Sequence, residues 1–129
     1  MCSSPVPDAI APDGSQIYFR VLDAARASVA EVVLAGGKTS RAIRHKTVEE
    51  IWFMVAGSGD VWLRSPDGAT TETTSVSVGD IVVIRTGWDF QFRATSFEPL
   101  RFLCYTSPPW PGDDEAVPVE DGGLGEPHL

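Results

Sequence analysis

The residues best equipped for chemistry lie together between Arg44 and Glu50. Histidine titrates nearer neutrality than any other ordinary side chain, so His45 is the candidate to move a proton, with Glu50 as the carboxylate that orients it. Arg44 presents a planar fork that clamps a carboxylate or phosphate bidentately, which Lys46 cannot do as well, and this pair points to a small organic acid as ligand. The link Thr47 to Glu49 interrupts strand alternation, so either Arg44 or His45 can face inward. If Glu50 points inward, alternation carries Trp52 and Met54 with it, and the same parity groups Trp88, Phe90 and Phe92 against Asp89, Gln91 and Arg93. Trp52, Met54, Phe90 and Phe92, with Trp62 at the margin, would wall an aromatic pocket with few polar groups, the usual composition of a small-molecule site. Lys46 and Trp88 complete the candidate binding set. The plainer alternative is a structural Glu50–Arg44 ion pair with the rings serving as core. Cys104, among Phe102, Leu103 and Tyr105 with no base nearby in sequence, reads as a buried inert thiol. Gly36-Gly37-Lys38-Thr39 lacks the earlier glycine and following helix of a phosphate-binding loop.

The elements that must position these residues are short strands. Apolar residues recur with a period of two between Gly, Pro, Asp and Ser clusters, giving nine candidates: Gln16 to Leu22, Val29 to Leu34, Thr39 to Arg44, Glu50 to Ala56, Asp60 to Arg64, Glu72 to Val78, Asp80 to Ile84, Phe90 to Ala94 and Leu100 to Tyr105. Gly57-Ser58-Gly59-Asp60 and Ser65-Pro66-Asp67-Gly68 supply hairpin turns, so neighbouring strands pair antiparallel. The class is all-β: a sandwich, jelly roll or small barrel. Asp23 to Ala27 allows one helical turn. Residues 1–14 form an N-terminal arm, 15–106 the barrel and 107–129 a tail rich in Pro and Gly. Trp110 in that tail is expected to pack on the barrel or on a neighbouring subunit, and disorder is expected beyond Val119.

A chain of 129 residues with 43% hydrophobic and 22% charged residues suits one globular core. Its longest apolar run, Ile51 to Ala56, is too short to span a bilayer, and the opening residues lack a secretory pattern, so a cytoplasmic location without membrane contact is expected. The net charge of -8 is concentrated at the end, where Asp113, Asp114, Glu115, Glu120, Asp121 and Glu126 meet no Lys or Arg after Ser107. No long basic face exists to bind nucleic acid. Cys2 and Cys104 read as free thiols, with no disulfide framework or cysteine-based zinc site.

Two segments together resemble the paired motifs of the cupin superfamily. Glu50-Ile51-Trp52-Phe53-Met54-Val55-Ala56-Gly57 matches its Glu followed by Gly, and Gly79-Asp80-Ile81-Val82-Val83-Ile84-Arg85-Thr86-Gly87 matches its second motif with Arg85 where Pro is usual. Arg44 to Trp52, Phe90 to Arg93 and Pro108 to Gly112 are similar to those of a small single-domain subgroup. The resemblance implies a double-stranded β-helix, the cupin jelly-roll barrel, over residues 15–106. Metal-binding cupins present His-x-His, Glu and a later His; in this chain the matching positions are Arg44, Lys46, Glu50 and Phe90, so no metal or other cofactor is expected. The resemblance also implies a homodimer, with Ile51, Phe53 and Val55 on the face to be covered. The expected function is metal-independent proton transfer on a small, partly apolar organic acid, by an isomerase, cyclase or lyase. Alternatives are a non-catalytic ligand-binding or sensing cupin, and a metal-dependent oxygenase with an atypical site using His45 and Glu50.

Overall fold

The computed structural model describes residues 6–129, so Cys2 lies outside the described residues. Where the sequence alternates, the backbone extends and sends its apolar residues to one side. Eleven strands result: β1 (Ala9–Ile10), β2 (Gln16–Val21), β3 (Ser28–Leu34), β4 (Ile43–His45), β5 (Glu49–Ala56), β6 (Ser58–Arg64), β7 (Thr71–Ser77), β8 (Ile81–Ile84), β9 (Asp89–Ala94), β10 (Leu100–Ser107) and β11 (Ala116–Pro118). They form two antiparallel sheets, ordered β1-β2-β3-β10-β5-β8 and β11-β4-β9-β6-β7. Consecutive strands β4 and β5 lie in different sheets, and β10 returns from the far end of the chain to sit between β3 and β5. This is a jelly roll.

The core lies between the inner faces. On β5 burial alternates strictly, with Glu50, Trp52 and Met54 inside and Glu49, Ile51, Phe53 and Val55 outside. Trp52 stacks on Phe102 at 4.3 Å between ring centroids and meets Phe90 and Phe92 edge-on at 5.5 and 5.1 Å. Each such pair adds about 0.5–1.5 kcal/mol beyond the area it buries.

Three expectations are corrected. Residues 23–27 form no helical turn, and the expected strand over Thr39 to Arg44 is confined to Ile43–His45, with Thr39 making isolated bridges instead. The chain beyond Val119 is not left loose: it crosses the outer face of the second sheet. Val119 N donates to Ala42 O, Thr39 and His128 exchange backbone hydrogen bonds, and Gln91 holds the segment from beneath. The Gln91 amide donates to Ser40 O and Gly125 O and accepts from Leu124 N. Gly122 and Gly123 press so closely on Gln91 and Trp62 that a Cβ has no room. A segment poor in large apolar groups docks because its backbone supplies the hydrogen bonds that a buried amide requires. Among the described residues no helix is long and apolar enough to cross a membrane.

Candidate functional site

Inward residues of β3, β4, β5 and β10 meet the N-terminal segment around a cavity of about 320 Å³. Ile43, Trp52 and Phe102 form its apolar floor, and Asp13, His45, Glu50, Cys104 and Thr106 supply polar groups on its wall. Phe19, Leu22, Pro109, Trp110 and Asp113 surround the mouth. The C-terminal segment closes over it: Trp110 N donates to Ser28 Oγ at 3.1 Å, and the Trp110 ring stands edge-on to His45 at 5.4 Å.

The polar groups are held in different ways. Both Glu50 oxygens are engaged, Oε1 by Trp52 Nε1 at 3.0 Å and Oε2 by Thr106 Oγ1 at 2.9 Å. Cys104 Sγ lies 3.5 Å from the same hydroxyl. Burial, then the nearby Glu50 carboxylate, pushes the thiol well above its ordinary range, so it stays protonated and a poor nucleophile. Asp13 is buried, and its Oδ1 accepts from Ser15 N at 2.9 Å and Ser15 Oγ at 2.6 Å. Burial raises its carboxyl above the usual range; the Ser15 hydrogen bonds work against that, the Glu50 charge adds to it and His45 opposes it. His45 is 3% exposed, packs edge-on to Phe90 at 5.0 Å, and its buried Nδ1 has no hydrogen-bond partner.

Of the residues singled out in the sequence, His45, Glu50 and Trp52 line this cavity. Arg44 does not. In β4 alternation sends Ile43 and His45 inward and Arg44 outward, where its Nε donates to Asp89 Oδ1 at 2.8 Å while Arg64 Nε takes Oδ2 at 2.8 Å. The open choice between Arg44 and His45 is thus settled for His45, and the Glu50–Arg44 ion pair is replaced by Arg44–Asp89. Lys46 is exposed in the bend after β4. Met54, Phe90 and Phe92 are core residues beyond the cavity wall, Trp88 is partly buried against that core, and Trp62 lies outside under the C-terminal segment. Among the described residues no Lys or Arg lines the cavity, so the expected organic acid meets no Lys or Arg there. Sequence reasoning missed Asp13, Ser15 and Thr106. Asp13-Gly14-Ser15 reads as a turn, and nothing local ties it to His45 or Glu50.

The fold is a two-sheet jelly roll with a largely apolar cavity among its inward residues, large enough for a small molecule. Residues 30–106 match the family model of the cupin domain, and the chain belongs to the cupin family. It is 26% identical over 112 residues to Uncharacterized protein MJ1618 of Methanocaldococcus jannaschii, covering 84% of this chain and 85% of that one. Its fold is similar to that of an oxalate decarboxylase from Lactobacillus farciminis in a formate complex, with TM-score 0.69 and 20% identity over 81% of this chain and 31% of that one. It is also similar to CapF, a capsular polysaccharide assembling protein from Staphylococcus aureus, with TM-score 0.72 and 16% identity over 92% of this chain and 32% of that one. The chain spans about a third of the length of these solved structures, and the likeness to them is one of fold.

The side chains present do not suit the metal centre that many cupins resemble one another in carrying. Arg44 and Lys46 leave the barrel, Phe90 is a core ring, and Glu50 has both oxygens engaged by neighbouring donors. Among the described residues no three His, Cys, Asp or Glu converge closely enough to hold an ion, whereas a transition metal takes three or four such donors.

Proposed function

We propose that this cupin admits a small, neutral, partly apolar organic molecule to the cavity and transfers a proton on it through His45, with no metal ion. The observation that carries the reading is a histidine, His45, on the wall of a largely apolar cavity, with no hydrogen bond to its buried Nδ1 among the described residues. With no protein hydrogen bond on Nδ1 to fix the tautomer, the ring can present either a donor or an acceptor to a ligand. Glu50, fixed by Trp52 and Thr106, stands on the same cavity wall as the imidazole. Carboxyls without Lys or Arg around the cavity favour a neutral ligand over the organic acid expected from sequence.

Titration calorimetry with cyclohexanol and cyclohexanecarboxylate, matched in shape, tests this directly. The alcohol should bind at least about tenfold more tightly, and H45F should weaken it by about tenfold. Tighter binding of the carboxylate, or an affinity indifferent to H45F, would remove the reading. Binding of neutral compounds without any proton exchange would make the protein a carrier or sensor instead. We further propose that two copies pair through the outer face of the six-stranded sheet. Ile51 lies opposite Tyr105 and Phe53 opposite Leu103 and Ile81, all exposed on adjacent strands.

A further inference from the structure

We infer that Asp13 is the acid that works with His45, and that the substrate is a small neutral carbonyl compound bearing a C–H next to the carbonyl. This rests on the cavity reading above and adds a second catalytic residue and a substrate class to it. Asp13 comes from the segment between β1 and β2, which the sequence presents as an arm outside the barrel. Its backbone is well anchored: Ala11 N donates to Ser15 O, Gly14 N to Ala11 O, and Arg41 N to Asp13 O, at 2.9, 2.9 and 2.8 Å. The side chain is therefore a fixed part of the wall.

The two cavity carboxyls differ in what they have left to offer. Glu50 has an internal donor on each oxygen, whereas Ser15 occupies only Oδ1 of Asp13 and Oδ2 has no hydrogen-bond donor among the described residues. Two cavity carboxyls that differ in this way are placed for different roles, Glu50 as a fixed wall group and Asp13 as the one able to meet a ligand. Asp13 is suited to be the neutral acid, because an unpaired buried charge is costly; the Arg41 guanidinium packs nearby against Gly14 but makes no ion pair with it among the described residues. Burial pushes its carboxyl in that direction. The other titratable groups facing the cavity are Glu50 on β5, His45 on β4, Cys104 on β10 and Asp113 at the mouth.

An acid with one oxygen unbonded by the described residues and an imidazole on the same cavity wall are the two groups an enolisation needs. His45 takes the proton from the carbon beside the carbonyl. The C–H pair becomes the new C=C bond, and the carbonyl π pair moves to oxygen and captures the Asp13 proton. The products are a neutral enol, an imidazolium and a carboxylate. Return of the proton from His45 to the original or to a conjugated carbon, with Asp13 recovering its own from the enol oxygen, completes an exchange or a double-bond shift. No other reactant is consumed.

The test uses cyclohex-3-en-1-one, whose conversion to the conjugated enone is followed by ultraviolet absorbance, and cyclohexanone in D2O, whose exchange is followed by proton NMR. Tryptophan fluorescence measures cyclohexanone binding separately. Wild type should accelerate both reactions, and D13N and H45Q should each slow them by about 100-fold. D13N should still bind cyclohexanone within about threefold of wild type. The wild-type rate should fall at high pH as Asp13 ionises, and D13N should lose that limb. S15A should move it to higher pH, because Ser15 bonds favour the ionised form, a shift that a merely structural role would not produce. Binding without exchange in wild type, or exchange at the wild-type rate in D13N, overturns the inference while leaving the cavity reading intact. Failure to bind both cyclohexanone and cyclohexanol overturns the two together.

Discussion

Removing the Glu115 carboxylate should loosen the corner that aims His45 and Glu50 into the barrel. Glu115 ends a short 3-10 turn, Asp113–Glu115, and reaches the bend between β4 and β5. Its Oε2 accepts from Thr47 N at 2.6 Å and Val48 N at 2.8 Å, its Oε1 accepts from Thr47 Oγ1 at 2.6 Å, and its backbone O accepts from Lys46 N at 3.0 Å. Hydrogen bonds to a charged group are each worth about 1.5–3 kcal/mol, and stranded buried donors cost about 1–3 kcal/mol more. Allowing for non-additivity, E115A should lose roughly 4 kcal/mol and E115Q, which keeps one acceptor, roughly 2 kcal/mol. For a chain of this size that corresponds to a fall in Tm of about 15 °C and about 8 °C. Burial by itself pushes the Glu115 carboxyl up from its ordinary 4.5, but the three hydrogen bonds outweigh it and hold the group below that value. A lowered folded pKa contributes stability that is present above the ordinary carboxylate pKa and is lost as pH falls through the folded value. The gap between wild type and E115Q should therefore be full at neutral pH and close on acidification. Thermal unfolding followed by tryptophan emission between neutral and acid pH measures it. A Tm within a degree for E115A, or a gap independent of pH, would refute the anchoring role.

Asp13 should show the opposite pH dependence. Its folded pKa is raised, so its contribution is full below the ordinary Asp value and is lost as pH rises through the folded one; D13N should therefore gain on wild type as pH rises, in the same unfolding assay. G123A, which drives a Cβ into the Trp62 indole, should undock the C-terminal segment and cost about 1–3 kcal/mol; hydrogen exchange at Leu124 N, bonded to Gln91 Oε1, should speed up, and unchanged protection would argue against that docking. F53E should leave the fold intact and convert a dimer to a monomer in sedimentation at micromolar concentration, whereas a wild-type monomer would dismiss the proposed pairing face.

The strands of the barrel were legible because alternation is a local property. Glu49 to Ala56 is legible as a strand from its run of β-forming apolar residues between Glu50 and Gly57, its burial alternates with a period of two, and the second motif from Gly79 marks its neighbour β8. Parity also predicted the two faces of β9, with Phe90 and Phe92 inside and Asp89, Gln91 and Arg93 outside. It left the choice between Arg44 and His45 open across the link Thr47 to Glu49, where alternation stops and their facing depends on how the chain turns. Glu115, far along the chain, grips that turn, and Asp89 draws Arg44 to the outside.

The sequence by itself determined the class, the inward parity of Trp52, Phe90 and Phe92, and the candidacy of His45 and Glu50, since each follows from residue type and short-range spacing, while the structure put Phe90 and Phe92 in the core rather than on the cavity wall. Tertiary structure alone brought Asp13 to the cavity wall, sent Arg44 and Lys46 out of it, and laid the residues after Val119 over Gln91 and Trp62. Those outcomes rest on hydrogen bonds and ion pairs between residues far apart in the chain. Which distant donor meets which buried acceptor is decided by the closure of the barrel, and no periodicity records it.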